Sequence, residues 1–288
     1  MAAASLSHVP RAREREAIAI HTRFAAIWAT GDIVPETENL TTHLASLLLS
    51  SPSPPPNTLR ILDLCTGTGC IPLLLYSLLT SRIPSLHLCG VDISAGATSL
   101  ANKNLSHSIS TSQLPRNARE QISFVRDNIF AAGANAWNQS KWDILISNPP
   151  YISPTSFNST TTRSVRNYEP RSALVPSSTP SPKSRVAEVD AGDTFYPRLF
   201  EIAEQVSARV LLVEVGDLEQ AFRVVAMVAG KRERVWAGCE IWRDWPAGNG
   251  EGGAEGFKVG GYGVRMRGEG NGRAVLAWKG DGGRMLGM

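Results

Sequence analysis

From Leu59 onward, short apolar runs alternate with longer stretches of helical spacing, and this alternation constrains the fold more than any other feature of the chain. Strands that alternate with helices predict a parallel, doubly wound sheet with helices on both faces. Strands are expected at 60–64, 86–91, 122–126, 143–147, 210–214 and 273–278, and helices at 69–80, 95–105, 195–208 and 218–229. We therefore predict an α/β, Rossmann-like fold with a mostly parallel sheet.

The first 58 residues are predicted to form a separate segment in front of this sheet. Residues 12–30 and 38–49 have helical spacing, whereas 50–58 is a Pro/Ser-rich linker without periodicity. We expect a short helical N-terminal segment over 1–58 and one α/β domain over 59–288. The late segments 236–243 and 273–279 are expected to pair as an antiparallel hairpin at the sheet edge. Polar stretches without periodicity predict surface loops at 106–119, 153–166, 177–185 and 248–272.

Composition excludes several classes of protein. The 288 residues are 42% hydrophobic and 19% charged, with a net charge of +3 and no Lys/Arg block, as in an ordinary globular protein with no special affinity for nucleic acid. No apolar run is long enough to span a membrane. The four cysteines lack metal-ligand spacing, so no metal is expected.

Arginines near the N-terminus suggest a mitochondrial transit peptide, but Glu14 and Glu16 count against one, so mitochondrial and cytoplasmic locations both stay open.

The segment 60–72 reads as a buried strand, a glycine turn and the start of a helix. Glycines allow close approach of a ligand to the backbone, and a helix N-terminus offers unpaired N–H groups. A dinucleotide site usually has a small residue where Pro72 stands, so this turn suits a ligand without phosphate and favours S-adenosylmethionine over NAD. The predicted cofactor residues of the turn are Asp63, Cys65, Thr66, Gly67, Thr68 and Gly69.

Acidic residues also end the next two predicted strands. Asp92 is placed to accept both ribose hydroxyls of a nucleoside, and Asp127 to accept the adenine amino group. Singly, each acid is better explained as a helix cap or a solvated loop residue. Three acids at successive strand ends favour a cofactor crevice, to which Ile93 and Asn128 are also assigned.

The fourth strand ends in Asn148-Pro149-Pro150-Tyr151, the predicted catalytic segment. Prolines remove backbone donors, so the nearby carbonyls point away from the sheet. The Asn148 side-chain oxygen and the Pro149 carbonyl can each accept one N–H of an –NH2 group and direct its nitrogen toward a methyl donor, while Tyr151 stacks on the planar group. Asn148 thus also borders the cofactor. These residues predict methylation of a planar nitrogen and do not choose between an amide and a nucleobase.

Further motifs resemble the PrmC/HemK family of protein-glutamine N5-methyltransferases, which are class I S-adenosylmethionine-dependent enzymes. The resemblance covers about two-thirds of the chain. It is carried by 35–38 (Pro-Glu-Thr-Glu), 63–69, 90–94, 148–152, 168–171 (Tyr-Glu-Pro-Arg) with 173–174, and 214–216 (Glu-Val-Gly). By this resemblance, Gly67, Gly69, Asp92 and Asp127 would bind cofactor, and Asn148, Pro149 and Tyr151 would hold the glutamine amide.

The resemblance also implies a substrate, the glutamine of the Gly-Gly-Gln loop in a class 1 peptide-chain release factor. Some relatives need a small activator subunit, and most have an N-terminal domain of several helices, for which this chain has room for about two. Direct nucleic-acid binding and membrane association are not implied.

Two alternative functions stay open. One is an adenine-N6 methyltransferase acting on DNA or RNA by base extrusion. The other is an inactive cofactor-binding scaffold.

Overall fold

In a computed structural model, the protein is described for residues 35–52, 57–131, 133, 135–159, 170–176, 191–230, 235–247, 255–259 and 262–288. The helices are α1 (Pro35–Ser50), α2 (Cys70–Leu79), α3 (Ala95–Ser110), α4 (Ala118–Gln121), α5 (Pro154–Ser159), α6 (Arg171–Leu174), α7 (Phe195–Gln205), α8 (Leu218–Ala229) and α9 (Gly280–Met285). The strands are β1 (Thr58–Leu64), β2 (Ser85–Asp92), β3 (Ile122–Arg126), β4 (Ile144–Ser147), β5 (Val210–Glu214), β6 (Gly238–Trp245), β7 (Glu255–Val259), β8 (Tyr262–Arg267) and β9 (Glu269–Trp278). A 3-10 turn covers Ala191–Asp193.

All nine strands belong to one sheet, in the order β3-β2-β1-β4-β5-β9-β6-β8-β7. Strands β1 to β5 are mutually parallel, and β9 is antiparallel to both β5 and β6. The chain proceeds outward from β1 to β3 in one direction and from β4 to β5 in the other. The strand order therefore reverses between β1 and β4, and in such sheets ligands bind outside the carboxyl ends of the strands at this point.

The core lies on both faces of the sheet. One cluster gathers α7 and α8 against the sheet, and the other gathers α1, α2 and the end of α9. Helix α1 begins at Pro35, has Glu36 and Glu38 in its first turn, and buries Leu40, Leu44 and Leu48. A proline and acids in the first turn suit the positive end of a helix, and the apolar stripe fixes the helix on the core.

The α/β class and mostly parallel sheet predicted from the sequence are confirmed, with strands β1–β5 within two residues of their expected bounds. The predicted antiparallel pair also forms, as β6 and β9. It was wrongly placed at the sheet edge, because β8 and β7 lie beyond β6. The stretch 248–272 is thus not simply a loop. It contains β7, β8 and the first residues of β9. These strands are held in the sheet by backbone pairing with their neighbours, and their glycine-rich sequences lack apolar alternation.

Other polar stretches also differ from the predicted loops. Helix α3 runs on to Ser110, α4 follows at 118–121, and α5 occupies 154–159. The predicted helix at 12–30, residues 53–56 of the linker and the loop 177–185 lie outside the described residues. The division at residue 58 stays a prediction. Within the described residues, no helix is long and apolar enough to cross a membrane.

Candidate active site

The turn between β1 and α2 has the backbone shape that only a glycine-rich sequence adopts without strain. Gly67 and Gly69 have φ of 55° and 80°, and Cys65 also has a positive φ of 62°. A Cβ on Gly67 would meet no atom within 4 Å, so this face of the turn is open, whereas one on Gly69 would lie 2.6 Å from the Phe124 ring. The first glycine thus leaves room for a ligand, and the second permits close packing on β3.

Asp92 holds this turn from the end of β2. Its carboxylate accepts the backbone N–H of Gly67 at 2.9 Å and that of Ser94 at 2.8 Å. Each carboxylate oxygen keeps a further lone pair for a ligand hydroxyl. Asp92 therefore organises the glycine turn and the first residues before α3, and its contact with the ribose stays a prediction.

Asp63 is the least satisfied acid in this region. It is 1% exposed, and neither carboxylate oxygen has a hydrogen-bond partner among the described residues. Burial, and then the charge of Asp92, raise its pKa to about 8. A buried carboxylate without a partner is costly and calls for a cation or a donor. The ammonium group of S-adenosylmethionine is such a partner, so the residues present fit this cofactor.

The third acid, Asp127, is already engaged by its own loop. Its Oδ2 accepts the Trp137 indole N–H at 2.6 Å and the Asn135 side-chain amide, while Asn128 Oδ1 accepts the Phe130 backbone N–H at 3.0 Å. Both residues therefore have a structural role in shaping the loop after β3. Their predicted contact with adenine stays a prediction.

The remaining turn residues and Ile93 border the same edge of the sheet. Ile93 is 60% exposed immediately after Asp92, and the buried Thr66 hydroxyl has no described partner. The Thr68 hydroxyl lies 2.9 Å from the sulfur of Cys70. An exposed isoleucine beside the carboxylate predicted to bind the ribose offers an apolar face for a base, because burying it would remove apolar area from water.

The segment Asn148–Tyr151 follows β4 at the switch point. The Ser147 hydroxyl donates to the Leu64 carbonyl at 2.7 Å and so fixes the end of β4 beside the start of the glycine turn. The Asn148 amide nitrogen donates to the Thr37 hydroxyl at 3.2 Å, and both prolines are buried. Among the described residues, nothing donates to the Asn148 side-chain oxygen or the Pro149 carbonyl. Both acceptors predicted from the sequence are therefore available.

Tyr151 is held from three sides. Its hydroxyl lies 3.5 Å from Glu214, its carbonyl accepts from the Gln220 amide at 3.3 Å, and a Cβ on Gly216 would come within 3.1 Å of its ring. Burial, followed by the negative charge of Glu214, raises the pKa of Tyr151 well above its usual range. The phenol therefore stays neutral and serves as a ring surface and a donor.

Glu214 and Thr37 are site residues for which the sequence predicted no role. The Thr37 hydroxyl donates to Glu214 at 2.7 Å, and both side chains are 5% exposed. Burial raises the pKa of Glu214 to about 7, partly opposed by the Thr37 hydrogen bond and by Arg273. One available signal was that Glu214, like Asp92, is an acid at the carboxyl end of a strand.

A second buried acid, Asp193, is connected to the Tyr151 backbone through Gln220. Asp193, 1% exposed, accepts from Gln220 at 2.8 Å and from the Arg223 guanidinium at 2.6 Å. Gln220 also accepts the Gly216 backbone N–H, so it joins the turn after β5 to the Tyr151 backbone. No role was predicted for these residues, since their contacts join parts of the chain far apart in sequence.

The geometry thus brings together Asp63, the glycine turn, Asp92 and the Asn148–Tyr151 segment at one edge of the sheet. Residues 39–167 match the sequence model of the methyltransferase small domain. The structure resembles the human METTL16 catalytic domain, solved with an RNA hairpin, with a TM-score of 0.50 at 15% identity over 86% of this chain and 70% of that one. That likeness shows the fold alone. The fold is that of a class I S-adenosylmethionine-dependent methyltransferase.

Curated relatives confirm the resemblance to the glutamine N5-methyltransferases. A release factor glutamine methyltransferase of Chlorobaculum tepidum is 35% identical over 49% of this chain and 44% of its own length. The probable mitochondrial MRF1 N(5)-glutamine methyltransferase of Schizosaccharomyces pombe is 29% identical over 57% of this chain and 50% of its own. The chain spans about half the length of these relatives.

Proposed function

We propose that the protein transfers a methyl group from S-adenosylmethionine to a glutamine side-chain amide nitrogen in the Gly-Gly-Gln loop of a class 1 release factor. The observation that carries this proposal is the Asn148 carboxamide, whose N–H2 donates to Thr37, while no described residue donates to its oxygen or to the Pro149 carbonyl. Two acceptors of this kind match the two N–H groups of a primary amide. The names of the curated relatives support glutamine as the amide.

The chain's own residues would position the amide and favour its reaction. Asn148 and Pro149 accept its two N–H bonds, which direct the nitrogen lone pair and stabilise the positive charge that develops on nitrogen. The Tyr151 ring stacks on the planar amide. Asp63, Asp92 and the open face at Gly67 would hold the cofactor. When bound, the cofactor would supply an electrophilic methyl group on a positively charged sulfur, which becomes a neutral thioether when its bond to that methyl breaks, and the methylated amide nitrogen would lose one proton to water.

The test is transfer of labelled methyl from S-adenosylmethionine to a purified release factor, with the Gln→Ala variant of its Gly-Gly-Gln loop as control. We expect label on the wild-type factor alone, and mass analysis should place one methyl on the glutamine. Repeating the assay in cell extract supplies any activator subunit of the kind some relatives need. Equal labelling of both factors, or none in either assay, would contradict the proposal.

The protein would act where its release factor is, in the mitochondrion or the cytoplasm, and fractionation of cells with an antibody decides between these two locations.

The adenine-N6 alternative has no support from the names of the curated relatives. Label in added DNA or RNA, with none in release factor, would favour that alternative.

A further inference from the structure

A chain of hydrogen bonds reaches Asn148 from outside its own segment. Glu214, at the end of β5, accepts the Thr37 hydroxyl at 2.7 Å, and Thr37, on α1, accepts the Asn148 amide N–H at 3.2 Å. We propose that Thr37 and Glu214 are positioning residues that fix which way the Asn148 carboxamide faces, so that its oxygen is presented to the substrate. This inference rests on the proposed function and assigns roles to two residues beyond the Asn148–Tyr151 segment.

The direction of the chain follows from the chemistry of its members. An ionised carboxylate can only accept, so the Thr37 hydroxyl must donate its single proton to Glu214. Thr37 then has only lone pairs to offer Asn148, and a carboxamide can meet a lone pair only with its N–H2 end. The oxygen end therefore points the other way. Reversal would leave two acceptors facing each other, at a cost typical of a lost buried hydrogen bond.

Burial prevents water from replacing these partners. Thr37 and Glu214 are each 5% exposed, and the cavity that they line with Asn148 has a volume of only 10 Å³. A cavity of this size is at the lower limit for one water molecule. Helix α1 is itself fixed, because Asn39 donates to the Asp244 carbonyl at 3.1 Å and Leu40 and Leu44 are buried. Thr37 thus has little freedom to leave Asn148.

Burial is the main reason that Glu214 is charged only above neutral pH, and the negative charge of Glu36 on α1 adds to the rise in its pKa. The hydrogen bonds from Thr37 and from Tyr151, near its Oε1, oppose this rise, and Tyr196 donates to the Glu214 backbone carbonyl at 3.1 Å. Arg273 of β9 favours the charged form, but this guanidinium is 2.8 Å from Asp244. With a pKa of about 7, Glu214 gains a proton as the pH falls below neutrality and can then donate to Thr37.

The first test replaces the Thr37 hydroxyl without opening space. Thr37→Val should lower kcat for amide methylation by about 10-fold or more, with cofactor Kd unchanged, because the carboxamide is free to turn. Thr37→Ser, which keeps the hydroxyl, should restore most of kcat. Thr41→Val is the matched control on the same helix, since the one described acceptor of the buried Thr41 hydroxyl is the Thr37 carbonyl at 2.7 Å. Equal loss in Thr37→Val and Thr41→Val would overturn the inference.

The second test concerns the carboxylate. Wild-type kcat should fall as pH decreases through about 7. A protonated Glu214 can itself donate to Thr37, so the Thr37 hydroxyl is no longer limited to accepting from Asn148. Glu214→Gln cannot ionise, so its kcat should be lower than that of the wild type above neutrality and flat between about pH 6 and pH 8. If Glu214→Gln keeps the acid limb of the wild-type profile, Glu214 is not the group responsible and the proposal fails.

A third measurement needs no substrate. The side-chain N–H2 resonances of Asn148 should shift in Thr37→Val and Glu214→Gln but stay in place in Thr41→Val, with all variants melting within a few degrees of wild type. If the wild type labels no amide while this pattern holds, the proposed function fails and the hydrogen-bonded chain stands. Resonances that do not move in Thr37→Val would overturn the inference whatever the activity.

Discussion

At the scale of single residues, we predict that Asn148 serves methyl transfer and not cofactor binding. Its nitrogen donates to Thr37 and no described residue donates to its oxygen, which suits the role toward the methyl acceptor that we propose for it. Asn148→Ala should abolish turnover while cofactor Kd, measured by calorimetry, changes only a few-fold. Asn102→Ala on α3, whose amide donates only to the Thr98 carbonyl, is the control and should behave as wild type. Parallel loss of binding and turnover would show that Asn148 holds the cofactor instead.

Most of the predicted site residues could be found from the sequence because they lie at the ends of predicted strands. Asp92 and Asn148 follow buried apolar runs, and the carboxyl ends of parallel strands meet at one edge of the sheet. Thr37 was not accessible in this way. Its contact with Asn148 spans 111 residues and depends on how α1 lies over the sheet, which no local pattern specifies. Glu214 ends a buried strand and the same rule would have found it.

At the scale of elements, Asp193 joins the 3-10 turn at 191–193 to α8 and, through Gln220, to the Tyr151 backbone. Its carboxylate is buried and is neutralised by Arg223 at 2.6 Å. Arg223→Met would leave a buried charge unpaired. Because Arg223 itself is partly exposed, we expect a loss of about 2–3 kcal/mol in the free energy of unfolding, less than for a fully buried pair.

The control for this prediction is Arg265→Met on β8. Arg265 lies 3.7 Å from the buried Glu240, but Glu240 keeps Arg267 at 2.8 Å, so the cost should stay below about 1 kcal/mol. Urea unfolding followed by circular dichroism measures both variants. If the two substitutions cost the same, then the Asp193–Arg223 pair does not hold α8 and the turn together.

The bounds of the apolar strands β1–β5 were predicted within two residues, whereas β7 and β8, which lack apolar sequences, were not predicted as strands. Residues 210–214 are all buried, so hydrophobicity alone marks β5. By contrast, β7 and β8 contain Gly256 and Gly263 and are polar on the exposed face, so their pairing with each other and with β6 holds them in the sheet. Backbone pairing between distant segments leaves no signal in the composition of either segment.

At the scale of the whole molecule, we expect the buried Asp63 carboxylate to couple stability to pH and to cofactor. Its folded pKa of about 8 lies above the ordinary value of 3.8, so the folded chain binds this proton more tightly and stability falls as pH rises from about 4 to about 8. Asp63→Asn should therefore melt higher than wild type near pH 8 by several degrees and about equally near pH 4.

The same variant should respond less to cofactor. S-adenosylmethionine would supply the cation that Asp63 lacks, so saturating cofactor should raise the wild-type melting temperature more than that of Asp63→Asn. Scanning fluorimetry across pH, with and without cofactor, measures both effects. Melting curves that remain parallel at every pH would mean that Asp63 is neutral or partnered in the folded chain.

Strand β9 comes last in sequence but lies between β5 and β6, and Arg273 from this strand reaches the carbonyl of Gly216 at 3.1 Å. During synthesis, β1 to β5 can assemble as they leave the ribosome, whereas β6 to β8 have no route into the sheet until β9 has emerged. The turn at Gly216 beside Tyr151 would therefore be fixed only after β9 has been made, later than the glycine turn between β1 and α2. The acceptor side of the site would thus form after the side proposed to hold the cofactor.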